Sequence, residues 1–171
     1  MNWDEYFLNL CNEISKKSHC LSRQIGAILT IDNIIVSTGY NSPPRKVPNC
    51  TERYDIDKNL IKELEELNID YSEQKNICPR KVLNFPSGTG LEYCPAIHAE
   101  KNCLLAASRK GSSTLDTTIY LNTTITPCSQ CFGAIINAGV KEIVLIKNIP
   151  YDKTVEYLIE NSTIKIREFE V

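Results

Sequence analysis

The chain is 171 residues long, which suits one domain with a sizeable core, and 42% of its residues are hydrophobic, as in ordinary globular proteins. A formal net charge of −2, with no Lys/Arg run longer than two residues, argues against nucleic acid as the main partner. No segment approaches the roughly 20 apolar residues of a membrane span, and the first residues lack the features of a secretion signal. We therefore expect the eight cysteines to be thiols and metal ligands in a cytoplasmic protein.

The beginning of the sequence predicts a helix followed by a β-hairpin. Residues 3–17 carry apolar side chains at helical spacing. This stripe consists of Tyr6, Phe7, Leu10 and Ile14. Two β-rich runs at 24–31 and 33–39 are joined by Asp32-Asn33, a pair typical of a tight hairpin turn. The pattern indicates a helix packed on the first two strands of a sheet.

Residues 42–95 form a long insert rich in Pro, Cys and charge, with one amphipathic helix predicted at 57–67. This is too much irregular chain for a compact domain to hold unaided. Four cysteines bracket the insert: Cys20, Cys50, Cys78 and Cys94. A closed Cys₄ zinc site would contribute folding energy there. Because the spacing is not the usual pair of C-x-x-C knuckles, isolated buried thiols remain an equal alternative.

The rest of the chain alternates between helix and strand. The predicted segments are a helix at 99–108, a strand at 118–123, a helix at 128–138, a strand at 142–147, a helix at 153–160 and a strand at 163–169. Cys11 and Cys103 lie on predicted apolar helix faces, where we expect buried thiols. Alternating elements after an initial hairpin predict a three-layer α/β fold with a mixed sheet.

The chemistry-bearing residues occur in two short motifs, His98-Ala99-Glu100 and Pro127-Cys128-Ser129-Gln130-Cys131. Together they form the H-x-E…P-C-x-x-C pattern that is typical of zinc-dependent nucleobase deaminases. Taken alone, the Cys-x-x-Cys pair also suits a structural zinc ribbon or a redox pair, and a single histidine is more often a core residue. The chain has only two histidines, however, and both motifs stand where a helix is predicted to begin.

The residue types explain the chemistry that this pattern predicts. Zinc accepts imidazole nitrogen and thiolate sulfur, so His98, Cys128 and Cys131 would leave its fourth position open for water. Zinc lowers the pKa of bound water to roughly 7, which suits hydrolysis at neutral pH. Glu100 is not a ligand but is close enough in sequence to His98 to shuttle protons. Two facing helix N-termini would also present N–H groups to a thiolate or a substrate oxygen.

Further segments carry a resemblance that extends over nearly the whole length. They are Trp3–Phe7, Cys20, Ile25–Ala27, Ser37–Asn41, Cys50, Cys78–Lys81, Pro86–Gly88, Cys94, Ile97–Asn102, Pro127–Cys128 and Ile135–Lys141. In these segments the chain resembles the deoxycytidylate (dCMP) deaminases of the cytidine deaminase superfamily. The resemblance implies a three-layer α/β/α cytidine-deaminase-like fold with a central mixed five-stranded sheet. It also implies a single deaminase domain over 1–171 with the cysteine-bearing insert at about 42–95.

The function implied by the resemblance is zinc-dependent hydrolytic deamination of dCMP to dUMP and ammonia, which supplies the precursor of dTTP. Glu100 would take a proton from water, deliver one to N3 of the cytosine and later protonate the leaving amine. The resemblance further implies a homo-oligomer, often a hexamer, with dCTP and dTTP as allosteric effectors. It also implies a second, structural zinc held by Cys20, Cys50, Cys78 and Cys94.

Substrate contacts are also implied. The resemblance gives Asn41 a role in holding the sugar 3′-hydroxyl, although an Asn after a strand is otherwise a turn residue. It gives Ala99 a backbone N–H for the pyrimidine. Arg109 matches a basic position near the phosphate, but it equally suits a cation at a helix C-terminus. Tyr151 follows the fourth strand and is either an aromatic wall over the base or a surface aromatic.

Two departures from the family pattern concern regulation and substrate choice. Ser42 replaces the last glycine of a Gly-Tyr-Asn-Gly element that the family associates with its effector pocket. The run at 121–126 is about two residues longer than the usual loop beside the base. The nearest alternatives are therefore deamination of another cytosine nucleotide, such as dCTP, or of a nucleoside.

Two more distant alternatives stay open. The tRNA adenosine deaminases share both motifs, but the chain lacks a basic surface pattern and carries the dCMP-deaminase-like insert. A non-catalytic zinc-binding subunit would need His98, Cys128 and Cys131 but would have no use for Glu100.

Overall fold

A computed structural model describes residues 1–169 and shows seven α-helices and five strands among them. The described chain divides into two compact units. The first, here called the sheet unit, contains residues 1–18, 25–41 and the chain from 98 onward. The second, here called the insert unit, contains residues 19–24 and 42–97.

The sheet unit is built on a mixed five-stranded sheet, as expected. Its strands are β1 (Gly26–Ile31), β2 (Ile34–Tyr40), β3 (Thr118–Leu121), β4 (Glu142–Leu145) and β5 (Lys165–Glu168). Their order is β2-β1-β3-β4-β5, with β1 antiparallel to both β2 and β3. Strands β3, β4 and β5 are parallel. Asp32 and Asn33 have φ of 50° and 61°, the left-handed conformations of the tight hairpin turn that the sequence predicts.

Helices cover both faces of this sheet. Helix α1 (Trp3–Ser15) packs on one face, where it meets Ile28, Tyr120 and Val144. The other face carries α5 (Ala99–Lys110), α6 (Ser129–Asn137) and α7 (Lys153–Glu160). Successive strand residues alternate between the two cores, because side chains of a strand point to opposite faces in turn. The predicted three-layer architecture is confirmed.

The buried face of α1 differs in part from the predicted stripe. Phe7, Leu8 and Cys11 are almost fully buried, whereas Tyr6 is 40% exposed and belongs to an exposed aromatic cluster with Trp3. The sheet contacts a face centred on Phe7 and Cys11, so the helix is rotated relative to the stripe chosen by hydrophobicity alone. The expectation that Cys11 and Cys103 are buried thiols is confirmed.

The insert unit contains more regular structure than the single predicted helix. Its helices are α2 (Cys50–Ile56), α3 (Lys58–Glu66) and α4 (Pro79–Val82), followed by a short 3₁₀-helix at Leu91–Tyr93. Only α3 was expected. A capping box formed by Asn49 and Glu52 begins α2, which explains why a helix forms there. The unit also has a small core of its own, made of Tyr54, Leu60 and Leu64.

Two global properties concern the described residues. No helix within residues 1–169 is both long and apolar enough to cross a membrane. All eight cysteines lie in this part of the chain, and none of them forms a disulfide bond.

Candidate active site

Two helix N-termini carry the predicted metal ligands. His98 is the N-cap of α5 and Cys128 is the N-cap of α6, both in extended backbone conformations. Neither side chain makes the hydrogen bond to its own helix that an N-cap residue usually makes. Instead both side chains meet Cys131, which lies in the first turn of α6. The sheet unit therefore brings the three ligands together.

The separations fit a zinc ion. His98 Nδ1 lies 3.6 Å from Cys128 Sγ and 3.4 Å from Cys131 Sγ. The ligand atoms of all three residues lie within 4.8 Å of one another. Tetrahedral zinc with Zn–S and Zn–N bonds of about 2.3 and 2.0 Å requires nitrogen and sulfur about 3.5 Å apart. One imidazole and two thiols are thus arranged as a zinc-binding donor set.

The fold explains why these ligands converge. Strands β2 and β3 are both antiparallel to β1, so they run in the same direction and their carboxyl ends lie at the same edge of the sheet. Helix α5 begins beside the end of β2, and Cys128 follows β3. Helix α5 crosses β2 at Gly39, where a Cβ atom would come within 2.3 Å of the Cys103 nitrogen. Asn102 Nδ2 donates a hydrogen bond of 2.8 Å to the Tyr40 carbonyl oxygen. Close packing at a glycine, together with this hydrogen bond, holds the helix that begins at His98.

Glu100 lies in the first turn of α5 beside the ligands. It is buried, and desolvation raises its pKa above the ordinary range of a carboxyl group. The nearby His98 opposes this shift, because a cationic imidazole stabilises the carboxylate. A buried carboxyl group that releases a proton less readily than usual is suited to proton transfer near neutral pH.

The ligands also perturb one another. A hydrogen bond with Cys128 raises the pKa of His98, and hydrogen bonds from Cys131 and His98 lower the pKa of Cys128. The pKa of Cys131 is raised, chiefly because its thiol donates to Cys128. The thiol of Cys128 therefore ionises much more readily than the thiol of Cys131. Metal binding would stabilise both as thiolates, because zinc ligands must be deprotonated.

Two of the predicted substrate residues lie on elements next to this cluster. Ala99 is the first residue of α5 and is fully buried. Backbone N–H groups in the first turn of a helix have no partner within the helix, so they are available to a ligand. Asn41 follows β2 and is buried, and its side-chain oxygen accepts a 2.8 Å hydrogen bond from the Ile25 N–H. The structure thus gives Asn41 a role in closing the start of β1.

The other two predicted substrate residues, Tyr151 and Arg109, lie on different parts of the sheet unit. Tyr151 lies between β4 and α7, with 41% of its surface exposed. Arg109 lies in the last turn of α5, a helix of 12 residues that spans about 18 Å. Arg109 is therefore at the opposite end of α5 from His98. This position favours the interpretation of Arg109 as a cation at a helix C-terminus.

The four remaining cysteines share one region of the insert unit. Burial raises the pKa of Cys50 to about 11, with contributions from Cys78, Cys94 and Cys20. Within residues 1–169, however, His98, Cys128 and Cys131 form the one group of three or more whose ligand atoms all lie within 4.8 Å. The insert cysteines are neighbours, but their sulfur atoms are not gathered as closely as the ligand atoms of His98, Cys128 and Cys131.

Sequence reasoning missed two residues at the site. Lys101 is half-buried, its Nζ donates to Gln130 Oε1 at 3.3 Å, and its charge acts on His98, Glu100 and Cys131. The position of Lys101, directly after Glu100 in the first turn of α5, was a sequence signal that it lies near the metal ligands. Thr126 is buried and contacts the loop that carries Tyr151. No sequence signal pointed to that contact, because it joins loops after different strands.

Comparison with protein families gives one matching family model. Residues 1–147 match the model described as "Cytidine and deoxycytidylate deaminase zinc-binding region". The match includes His98, Glu100, Cys128 and Cys131.

Curated relatives include deoxycytidylate deaminases of fungi and phages. The enzyme from Schizosaccharomyces pombe is 28% identical over 170 residues, covering 98% of this chain and 44% of the relative. That from Enterobacteria phage T2 is 31% identical over 153 residues, covering 85% of this chain and 79% of the relative. The chain spans less than half of the fungal relatives it matches, 44% and 45% of their lengths.

Solved structures with the same fold include the dCMP deaminase of cyanophage S-TIM5 in complex with dCMP and dUMP. It superposes with a TM-score of 0.64 at 20% identity, covering 96% of this chain and 95% of that chain. The apo form of the same phage enzyme gives a TM-score of 0.63 at 17% identity, covering 97% and 96% of the two chains. This likeness confirms the cytidine-deaminase-like fold.

Proposed function

Because the chain belongs to the cytidine and deoxycytidylate deaminase zinc-binding family, we propose that it catalyses hydrolytic deamination of dCMP to dUMP and ammonia. One observation carries the proposal: His98, Cys128 and Cys131 converge at two helix N-termini with the buried carboxyl group of Glu100 beside them. Curated relatives named deoxycytidylate deaminase support dCMP as the substrate.

His98, Cys128 and Cys131 would hold a zinc ion in this site. When bound, zinc supplies a water molecule acidic enough to act as a nucleophile at neutral pH. Glu100 would take one proton from the attacking water and deliver it to N3 of the cytosine. It would then take the remaining proton of the same oxygen, now bonded to C4, and deliver it to the amino nitrogen, so that ammonia leaves as the C4 carbonyl forms. Burial of Glu100 suits this cycle, because a raised pKa lets the carboxyl group hold a proton between the two transfers.

Substrate binding would involve the elements around the cluster. The N–H of Ala99 would bind the pyrimidine at the N-terminus of α5. Asn41 would hold the sugar 3′-hydroxyl, and Tyr151 would cover the base with its exposed ring. Arg109 is the weakest member of this set, since it lies in the last turn of α5. Its contact with the phosphate stays a prediction.

The insert unit would hold a second, structural zinc. Cys20, Cys50, Cys78 and Cys94 would be the ligands. Burial is the main cause of the raised pKa of Cys50, and the other three cysteines lie near enough to raise it further, which supports the assignment. Zinc would bind these residues as thiolates, because a metal replaces the protons of its cysteine ligands.

Regulation and assembly follow the family expectation. The protein would be a homo-oligomer, in many relatives a hexamer, with dCTP and dTTP as effectors. Ser42, in place of the family's glycine, makes retention or loss of this regulation an experimental question. A cytoplasmic location likewise stays a prediction, based on cysteines that form no disulfide bond.

Ammonia release by purified, zinc-loaded protein tests the proposed function. The substrates are dCMP, dCTP, deoxycytidine and cytidine, each with and without added dCTP as effector. We expect turnover of dCMP well above that of the other three. Preferential turnover of dCTP or a nucleoside would replace the proposed substrate. Inactivity on all four with zinc bound would overturn the proposal and favour an RNA substrate or a binding role.

A further inference from the structure

Two loops at the same edge of the sheet are joined to each other by backbone and side-chain contacts. The first loop leads from β3 to Cys128, and the second leads from β4 to α7. Ile125 and Ile149 form a parallel β-bridge between them. The N–H of Thr126 donates to the Ile149 carbonyl oxygen at 2.9 Å. The loop that delivers the metal ligand therefore also sets the position of the second loop.

A buried side chain completes this connection. The N–H of Tyr151 donates to Thr126 Oγ1 at 3.0 Å, and Thr126 is only 3% exposed. A buried hydroxyl group needs a partner, and a backbone N–H beside it would lose its acceptor if the oxygen were removed. Because Thr126 stands directly before Pro127 and Cys128, this hydrogen bond links Tyr151 to the backbone that carries the metal ligand.

The backbone of Tyr151 is also held on its other side. Asp152 is the N-cap of α7, and its side chain accepts from the Val155 N–H at 2.9 Å. The ring of Tyr151, by contrast, is 41% exposed. An aromatic side chain on a doubly held backbone loses little conformational entropy when it contacts a ligand.

We infer that Thr126 is a positioning residue, which acts through Tyr151 to set how tightly the site binds its pyrimidine nucleotide. The inference rests on the proposed function for the identity of the nucleotide. Thr126 Oγ1 holds the Tyr151 N–H, and the ring then packs over the base. Thr126 does not touch the reacting atoms, so its loss affects ground-state binding rather than proton transfer at Glu100.

The test compares Thr126→Val, Thr126→Ser, Tyr151→Ala and the double variant Thr126→Val/Tyr151→Ala as zinc-loaded proteins. Valine keeps the shape of threonine but removes the acceptor, so KM for dCMP should rise by about 3- to 10-fold with little change in kcat. Serine keeps the hydroxyl group and should restore the wild-type KM. The double variant should have the KM of Tyr151→Ala, since both changes remove the same contact.

Thr30→Val is the matched control, because Thr30 is also buried, at 4% exposed, but belongs to β1. It should leave KM unchanged. Multiplying effects in the double variant, or a fall in kcat and zinc content without a rise in KM, would overturn the inference. These outcomes would show that the two residues act separately or that Thr126 supports only the fold.

Amide hydrogen exchange at Tyr151 separates this inference from the proposed function. The Thr126→Val variant should exchange this amide faster than the wild type, whereas Thr30→Val should not. If the wild-type protein were inactive on dCMP, the proposed function would be refuted. Amide hydrogen exchange at Tyr151 would then still show whether Thr126 positions Tyr151. Unchanged exchange at Tyr151 in Thr126→Val would overturn it.

Discussion

At the residue scale, the site depends on ionisable side chains whose surroundings change their proton affinity. Glu100 is buried in the first turn of α5, and desolvation raises its pKa. His98 and Cys128 perturb each other through a direct contact between imidazole and thiol. Each group lies at a helix N-terminus, where partial positive charge favours an anion such as a thiolate. Burial and helix position thus give these residues the properties that the proposed metal binding and proton transfer require.

Glu100→Gln is the first prediction at this scale. The amide matches the carboxyl group in shape but cannot transfer protons, so kcat should fall by at least about 10³-fold. Because burial already disfavours the charged form of Glu100, the variant should keep the stability and zinc content of the wild type. Steady-state kinetics, thermal unfolding and metal analysis measure the three quantities.

Glu160→Gln, an exposed position at the end of α7, serves as its control and should behave as the wild type does. Substantial residual turnover by Glu100→Gln would contradict the assigned role. So would loss of zinc, since Glu100 would then act as a ligand or a structural residue.

At the element scale, close packing and one ion-pair network determine where the helices lie. Gly39 allows α5 to approach β2 so closely that a Cβ atom would meet backbone atoms of Cys103 and Ala99. On the other face of the sheet, Arg167 in β5 pairs with Asp4 in α1 and with Glu142 in β4. The ion pairs connect α1, β4 and β5.

Gly39→Ala should displace α5 and destabilise the protein, because the clash involves backbone atoms that cannot rotate away. We expect a loss of about 2 kcal/mol or more in unfolding free energy, as for overpacked cores. Since α5 carries His98 and Glu100, kcat should fall as well. Chemical denaturation and kinetics measure both effects.

Gly133→Ala is the matched control within α6. A Cβ at Gly133 meets nothing within 4 Å, and alanine is the better helix former by about 1 kcal/mol. This variant should be as stable as the wild type or more stable, with unchanged activity. Equal stability of the Gly39→Ala and Gly133→Ala proteins would contradict the packing argument.

Asp4→Asn should show the pH dependence of the ion-pair network. The hydrogen bond from Arg167 lowers the pKa of Asp4 below 3.8, and Tyr120 contributes a second hydrogen bond of 2.9 Å. A carboxyl group whose pKa is lower in the folded than in the unfolded protein stabilises the fold at pH values above its unfolded-state pKa. This stabilisation is lost as the pH falls through the folded-state pKa. At pH 7 the free energy of unfolding of the wild type should exceed that of Asp4→Asn by about 1 kcal/mol. The difference is this small because the ion pair of Asp4 and Arg167 is partly exposed.

The difference between these two proteins should shrink below about pH 4 and vanish where Asp4 is protonated in both states. Denaturation at pH 7 and pH 3 measures it. A difference that stays constant between the two pH values would show that the asparagine acts through packing rather than through charge.

At the scale of the whole molecule, the chain combines a sheet unit that holds the candidate active site with an insert unit that holds four cysteines. The insert unit has only a small core around Tyr54, Leu60 and Leu64. A core of this size contributes little stability by itself, and small units often rely on a bound metal. The proposed second zinc would meet that need.

Metal analysis tests this proposal. The wild-type protein should contain two zinc ions per chain, and Cys78→Ser should contain one, with a lower unfolding temperature. Cys103→Ser is the control, because that thiol is buried in the sheet unit, where it contacts the hydroxyl group and the carbonyl oxygen of Ser37. It should keep both ions. One zinc per chain in the wild type would contradict the second site.

Much of the fold and the site was predictable because it depends on local patterns. The hairpin at Asp32-Asn33, the helix at 153–160 and the helix starts at His98 and Cys128 depend on residues close in sequence. The missed helix α2 also had a local signal, the capping box of Asn49 and Glu52. No local signal showed that Tyr6 would be exposed, since hydrophobicity alone does not show which side of α1 packs on the sheet.

The sequence by itself determined the candidate donor set, the spacing within each motif, the candidate general base and the three-layer α/β class, because each depends on short motifs or on periodicity. Only the tertiary structure decided that His98 Nδ1 meets both thiols, that Arg109 lies at the far end of α5 and that Thr126 holds Tyr151. The physical reason is that these contacts join residues on different elements. Their separations depend on strand order and on how closely helices pack on the sheet.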